Sequence, residues 1–260
     1  MTQPKGYADT EYLQSLGEFV KHLKHRSYML MQIQPGHKVL DVGCGPASDT
    51  IELAALVGQT GQVFGVDNDQ AMIDEAEQRA HKAGITGWVK HLHGDSNTLP
   101  FETNFFNASR SERLFQHLLY PARTLSEMKR VTTSGGWIVV LDTDWATFSI
   151  DTPEVDIQRR LGHVWADKGL HNAYAGRQLY RLFKQQQLKD ITVEQHPLLG
   201  TDYAFVRQAG MLDRAEHLAL TAGIVTDEEV QRWRTSLEQA DSDGVFFGSV
   251  IQVMAAGCKR

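Results

Sequence analysis

Apolar positions along this chain fall into two rhythms. Short apolar runs bounded by turn residues occur at 39–42, 62–67, 88–93, 105–110, 137–142 and 191–196, and most lead into stretches whose apolar residues lie three and four apart. The runs have the length of buried strands, and the stretches have the spacing of amphipathic helices. This alternation predicts an α/β fold, a doubly wound Rossmann-like sheet with helices on both faces.

Three segments do not fit the alternation. Residues 7–34 carry Leu13, Leu16, Phe19, Val20 and Leu23 at helical spacing and read as amphipathic helix in two pieces, closed by Pro35-Gly36. Residues 149–174 and 203–237 read as helical insertions, the second holding a helix start at Thr226-Asp227-Glu228-Glu229. Residues 245–256 read as a last strand. The organisation expected is therefore an N-terminal helical lid over 1–34 and one main domain over 35–260, with helical lid insertions near 149–174 and 203–237.

Candidate chemistry begins where the first strand runs into Gly43-Cys44-Gly45-Pro46-Ala47-Ser48 and then a helix over 49–57. Glycine tolerates positive φ and lets a ligand approach the backbone. The helix start turns free N–H groups towards the turn. Asp41, two residues before Gly43, would repel a pyrophosphate but can accept hydrogen bonds from an ammonium group. Asp67 closes the second strand about 20 residues further on, where a carboxylate can take both hydroxyls of a ribose.

At these residues the chain resembles the class I S-adenosylmethionine-dependent methyltransferases. Asp41, Gly43 and Gly45 match that family's first motif, and Ala47 stands where a third glycine is usual. Asp95-Ser96, followed by Leu99-Pro100-Phe101, resembles the family's adenine-reading segment, which assigns Asp95 to the exocyclic amine and Ser96 to a backbone contact. Cys44, Asn68 and Ser111 complete the expected cofactor contacts. The resemblance implies a seven-stranded, mostly parallel sheet whose last strand is antiparallel and lies between its neighbours. It also implies S-adenosyl-L-methionine as cofactor and methyl transfer to a small-molecule acceptor by in-line displacement. Leu99-Pro100-Phe101 and Phe115-Gln116-His117 look most like the branch related to quinone-biosynthesis enzymes.

Ligands of open α/β sheets bind beyond the carboxyl ends of the strands. This places Arg110, Arg113 and His117, after the fourth strand, and Asp144 and Trp145, after the fifth, near the reactive end. His117 is the candidate general base. Tyr12, Arg113, His117, Asp144 and Trp145 are the candidate acceptor contacts. Two other readings stay open: a cofactor-binding partner protein without turnover, and an NAD(P)-dependent oxidoreductase. Asp41, and Ser48 in place of the last fingerprint glycine, speak against the latter.

Composition narrows the classes of partner. The net charge of −6 opposes a nucleic-acid grip through phosphate neutralisation. The two cysteines, Cys44 and Cys258, form no metal-type pair, so no metal is expected, and they fit a reducing cytoplasmic setting. No apolar run reaches membrane-spanning length, so no membrane partner is expected. The pattern leaves the oligomeric state open.

Overall fold

The computed structural model describes residues 20–260. Tyr12 and the first piece of the expected N-terminal helical segment lie outside the described residues. The described chain opens with α1 (Lys21–Leu30) and runs through β1 (Lys38–Val42), α2 (Ser48–Val57), β2 (Gln62–Asp67), α3 (Gln70–Lys82), β3 (Val89–His93) and β4 (Phe106–Glu112). It continues through a single 3-10 turn (Phe115–His117), α4 (Pro121–Val131), β5 (Thr132–Ile150), α5 (Val155–Val164) and α6 (Ala175–Gln185). The last elements are β6 (Lys189–Gly200), α7 (Tyr203–Ala209), α8 (Leu212–Thr221), α9 (Asp227–Ser242) and β7 (Gly248–Cys258).

The strands form one seven-stranded sheet in the order β3-β2-β1-β4-β5-β7-β6. The first four pairings are parallel, whereas β7 runs antiparallel between β5 and β6. The order reverses between β1 and β4, and that switch point opens a crevice at the strands' carboxyl ends. Alternate strand residues face opposite sides. Leu40 and Val42 pack with Phe64, Phe106, Met128 and Phe183 on one face. Val39 packs with Leu23, Leu53, Val63 and Val139 on the other. A further apolar cluster joins the two insertions, with Ile157, Leu161 and Val164 against Tyr203, Val206, Leu212, Trp233 and Leu237.

Local signals set several boundaries, the expected helix start at Thr226 among them. The Asp69 side chain accepts from Ala71 N and starts α3, Pro121 opens α4, and Thr226 and Glu229 form a reciprocal capping box for α9. Other boundaries differ. β5 continues to Ile150 because the β7 ladder carries on past a bulge, pairing Ser149 with Ser249. The first insertion therefore begins with strand and turns helical only at Val155. β6 runs through Pro197, which lacks an N–H, because β6 is the sheet's edge. α1 buries Leu23 in the sheet-face core and ties Arg26 to Glu194 on β6 at 3.0 Å, so this part of the expected lid is a sheet-covering helix.

Candidate active site

A cavity of about 1230 Å³ opens at the carboxyl ends of the strands, between the sheet and the helices of the two insertions. One end is built by the glycine turn. Gly43 and Gly45 have φ of +76° and +50°, and Gly43 N donates to Val66 O at 2.7 Å. A Cβ on Gly43 would meet the Leu114 side chain at 3.1 Å. A Cβ on Gly45 would meet nothing within 4 Å, so the backbone there borders open cavity. Ala47 holds the left-handed conformation at φ +68°, which costs a non-glycine residue about 1 kcal/mol. Cys44 is held by fit, since a Cβ at Gly65 on β2 would come within 2.7 Å of its sulfur. Burial pushes its thiol pKa up, which leaves it a poor nucleophile.

Asp67 accepts from Gly45 N at 2.9 Å and Asp69 N at 3.0 Å, so its carboxylate is fixed between the glycine turn and the start of α3. Burial raises its pKa, and those backbone donors oppose the rise. Asn68 lines the cavity beside it. Asp95 is oriented by Asn97, whose backbone N and Nδ2 donate at 2.8 and 2.9 Å. Ser96 Oγ lies 3.1 Å from Thr124 Oγ1. The following Leu99-Pro100-Phe101 turn is clamped to α4. Glu127 accepts from Leu99 N at 2.9 Å, and Arg130 donates to Phe101 O at 2.8 Å. Ser111 instead spends its hydroxyl on Val42 O at 2.8 Å and does not line the cavity.

Beneath the glycine turn lies a buried charge cluster. Arg110 is fully buried, with Nη1 2.6 Å from Asp49 and 3.7 Å from Asp41, and Nη2 2.8 Å from Glu112. It is thus removed from the reactive end, where its place after the fourth strand had put it, because β4 extends two residues further and turns it under the floor. Lys24 of α1 adds a second cation, 2.6 Å from Asp49 and 3.1 Å from Glu112, and the Tyr28 hydroxyl donates to Asp49. With every group ionised, Arg110, Lys24 and Arg113, whose Nε lies 3.4 Å from Glu112, face the three carboxylates of Asp41, Asp49 and Glu112.

Asp41 is the carboxylate held least closely, its nearest cation being Arg110 at 3.7 Å. Burial pushes its pKa up to about 7, and the attraction of Arg110 offsets this only in part. Burial also opposes ionisation of Asp49, yet Arg110 and Lys24 hold its pKa below the usual range. Lys24, Asp49 and Glu112 all line the cavity and went unnoticed in the sequence. The available signal was polar residues set inside otherwise apolar faces.

The other end of the cavity is mostly apolar. Trp145 donates Nε1 to Gln116 Oε1 at 2.6 Å and meets Trp165 edge-on, with centroids 5.8 Å apart. Gln116 is itself held by Asp142, which accepts from its backbone N at 3.2 Å. Gln116 was another unforeseen member. Arg113, in the left-handed region at φ +52°, lines the cavity with Nε 3.4 Å from Glu112. His117 also lines it, and burial together with Arg113, His171 and Arg214 lowers its pKa to about 4. Its imidazole is therefore neutral at neutral pH and a weak base. Asp144 is turned away from the cavity into an ion pair with Arg177 at 2.6 Å, so the structure does not bring it to the acceptor end.

Residues 33–196 match the family model described as a methyltransferase domain. An uncharacterized 37.1 kDa protein in transposon TN4556 of Streptomyces fradiae is 32% identical over 244 residues, covering 93% of this chain and 69% of that protein. Demethylmenaquinone methyltransferase of Geobacillus stearothermophilus is 37% identical over 142 residues, covering 54% of this chain and 60% of the relative. Geranyl diphosphate C-methyltransferase of Streptomyces coelicolor, solved with Mg²⁺, geranyl diphosphate and S-adenosyl-L-homocysteine, superposes with a TM-score of 0.59 at 18% identity. That superposition covers 98% of this chain and 87% of the other.

Sheet order, glycine turn and strand-end acids define a class I methyltransferase fold. The chain belongs to the S-adenosylmethionine-dependent methyltransferase family. The residues present fit S-adenosyl-L-methionine, its cofactor. A buried carboxylate with no cation closer than 3.7 Å suits the cofactor's positively charged groups, and Gly45 leaves space where a side chain would intrude. Among the described residues no cluster of His, Cys, Asp and Glu could hold a metal ion, and no helix is long and apolar enough to cross a membrane.

Proposed function

We propose that the chain transfers a methyl group to a small, apolar, ring-containing acceptor held between Trp145, Trp165 and the insertion helices. The observation that carries this reading is the single cavity, acidic at the glycine turn and aromatic at the other end, large enough for a cofactor and a second molecule. Asp41 would hold the cofactor's ammonium group, Asp67 its ribose hydroxyls and Asp95 its adenine amine, with Gly43, Cys44, Gly45, Asn68 and Ser96 supplying backbone and edge contacts. Bound there, the cofactor supplies an activated methyl group on a sulfonium. The protein's contribution is mainly alignment and exclusion of water.

Trp145 gives a flat apolar wall whose angle is set by its bond to Gln116. Arg113 biases this end towards positive potential, which favours an acceptor that is losing a proton. His117 orients that acceptor as a neutral hydrogen-bonding group. The net charge of −6 supports a small-molecule acceptor over nucleic acid, and the buried free cysteines support a reducing cytoplasm.

The test supplies labelled S-adenosyl-L-methionine and a metabolite extract and follows label into products. Trp145→Ala is expected to lower transfer at least tenfold while S-adenosylhomocysteine affinity stays within about twofold, the pattern of lost acceptor positioning. Unchanged transfer in that variant would place the acceptor elsewhere.

A further inference from the structure

At the aromatic end of the cavity Trp165 Nε1 and Gln252 Oε1 are buried polar atoms without a hydrogen-bond partner among the described residues, and no cofactor contact uses them. Gln252 of β7 is 1% exposed and lines the cavity, yet its Oε1 has no hydrogen-bond partner among the described residues. Its Nε2 donates to Thr143 Oγ1 on β5 at 3.4 Å, and Thr143 is also buried and lines the cavity. The β5–β7 register, which pairs Thr143 with Gln252, sets the two side by side. A buried acceptor without a donor is costly, and such groups in native proteins call for an explanation.

The surroundings limit what could satisfy it. Trp145, Trp165, Phe148 and Val206 make this end apolar, and none of the described residues lining it beyond Trp145 carries a carboxylate. Asp144, the carboxylate closest in sequence, is engaged by Arg177. An ammonium group would therefore enter without a counter-charge, at a desolvation cost nothing here offsets. A hydroxyl fits better. The amide oxygen accepts from it, and the Thr143 hydroxyl, which rotates freely, can donate back.

We infer that Gln252 and Thr143 form the polar reader of the acceptor chamber, and that the acceptor is an apolar ring compound bearing a phenolic or enolic hydroxyl, not an amine. This rests on the methyl-transfer reading of the cavity and narrows it to a chemical class. Arg113 and His171 line the same cavity.

The test measures binding of three probes of one shape, naphthol, naphthalene and aminomethylnaphthalene, to the full chain saturated with S-adenosylhomocysteine, read by tryptophan fluorescence. Naphthol is expected to bind about tenfold more tightly than naphthalene, the worth of one buried hydrogen bond to a group otherwise unsatisfied, and aminomethylnaphthalene the least. Gln252→Met should erase the difference between naphthol and naphthalene with little change in Tm, because the loss of the long 3.4 Å bond to Thr143 is offset by removal of a buried, unsatisfied amide oxygen. Gln252→Glu keeps an acceptor, adds a charge, and should reverse the order in favour of aminomethylnaphthalene. Naphthol binding no better than naphthalene in the unaltered protein, or an unchanged ratio in Gln252→Met, would overturn the inference even if Gln252→Glu failed to fold. Failure of S-adenosylhomocysteine to bind at all would instead overturn the methyltransferase reading.

Discussion

Arg110→Met is expected to cost about 3–5 kcal/mol of folding stability. The guanidinium is fully buried and touches Asp49 and Glu112, with Asp41 at 3.7 Å. Methionine fills much of the volume but leaves Asp41 and Asp49 with Lys24 as the remaining cation, while Glu112 keeps Lys24 and Arg113. Removing one member of a buried charge network leaves the others desolvated and uncompensated, which is why the loss exceeds the net worth of any one pair. Urea denaturation followed by circular dichroism measures it. The pH dependence has a definite sign. Asp49 has its folded pKa depressed, so its contribution is complete above the unfolded value and is lost as pH falls through the folded one. Wild-type stability should therefore fall in acid through this group. A loss below 1 kcal/mol in Arg110→Met would mean that the cluster is solvated.

Asp41→Asn is expected to do the opposite to stability while removing function. Asp41 has no cation closer than Arg110 at 3.7 Å, and its burial raises its pKa to about 7. A group with a raised folded pKa favours folding in its protonated form, so its contribution is complete below the unfolded value and is lost as pH rises through about 7. The Asn variant, neutral throughout, should equal or exceed the wild type in Tm at pH 8 and above. Its affinity for S-adenosylhomocysteine should fall about 10- to 100-fold, the worth of one charge-assisted hydrogen bond to the ligand's ammonium. In the wild type that affinity should weaken as pH drops below about 7, because the carboxylate must lose its proton to bind the ammonium, and the Asn variant should show no such slope. Calorimetry at two pH values, with Tm measured alongside, checks both halves. Equal affinities, or a variant that is less stable, would remove Asp41 from the cofactor site.

Much of this architecture was legible because strand and helix spacing are local properties. The runs around Val39–Val42, 62–67 and 137–142 had to be buried strands, and Gly43 and Gly45 had to turn the chain, whatever packed around them. The acids Asp41, Asp67 and Asp95 stood in or just after strands, at the carboxyl edge where the sequence pattern and the family resemblance expected them. What escaped depended on partners distant in sequence. The extension of β5 to Ile150 and the passage of β6 through Pro197 follow from pairing with β7, which no local pattern announces. Arg110 and Asp144 were expected at the acceptor end, yet each is turned aside by a counter-charge, Asp49 and Glu112 in one case and Arg177 in the other. Lys24, Gln116 and Gln252 were hidden for the same reason. Their roles arise from contacts across 25, 29 and 109 residues of sequence.

The α1 helix shows how the same residues can serve a different purpose from the one their pattern suggests. Its apolar face, read as part of a lid, is covered by the sheet core through Leu23 and Met31. Its polar residue Lys24 nevertheless reaches the cavity floor. The seating of α1 thus uses Asp49 and Glu112, which also line the cavity.

The most direct test of the account is titration calorimetry of the full chain at neutral pH with S-adenosylhomocysteine and, separately, with NAD. The predicted result is one molecule of S-adenosylhomocysteine per chain, a Tm that rises with its concentration by mass action, and no heat from NAD. NAD bound with S-adenosylhomocysteine ignored would contradict the assignment of Asp41, Asp67 and Asp95 to that cofactor.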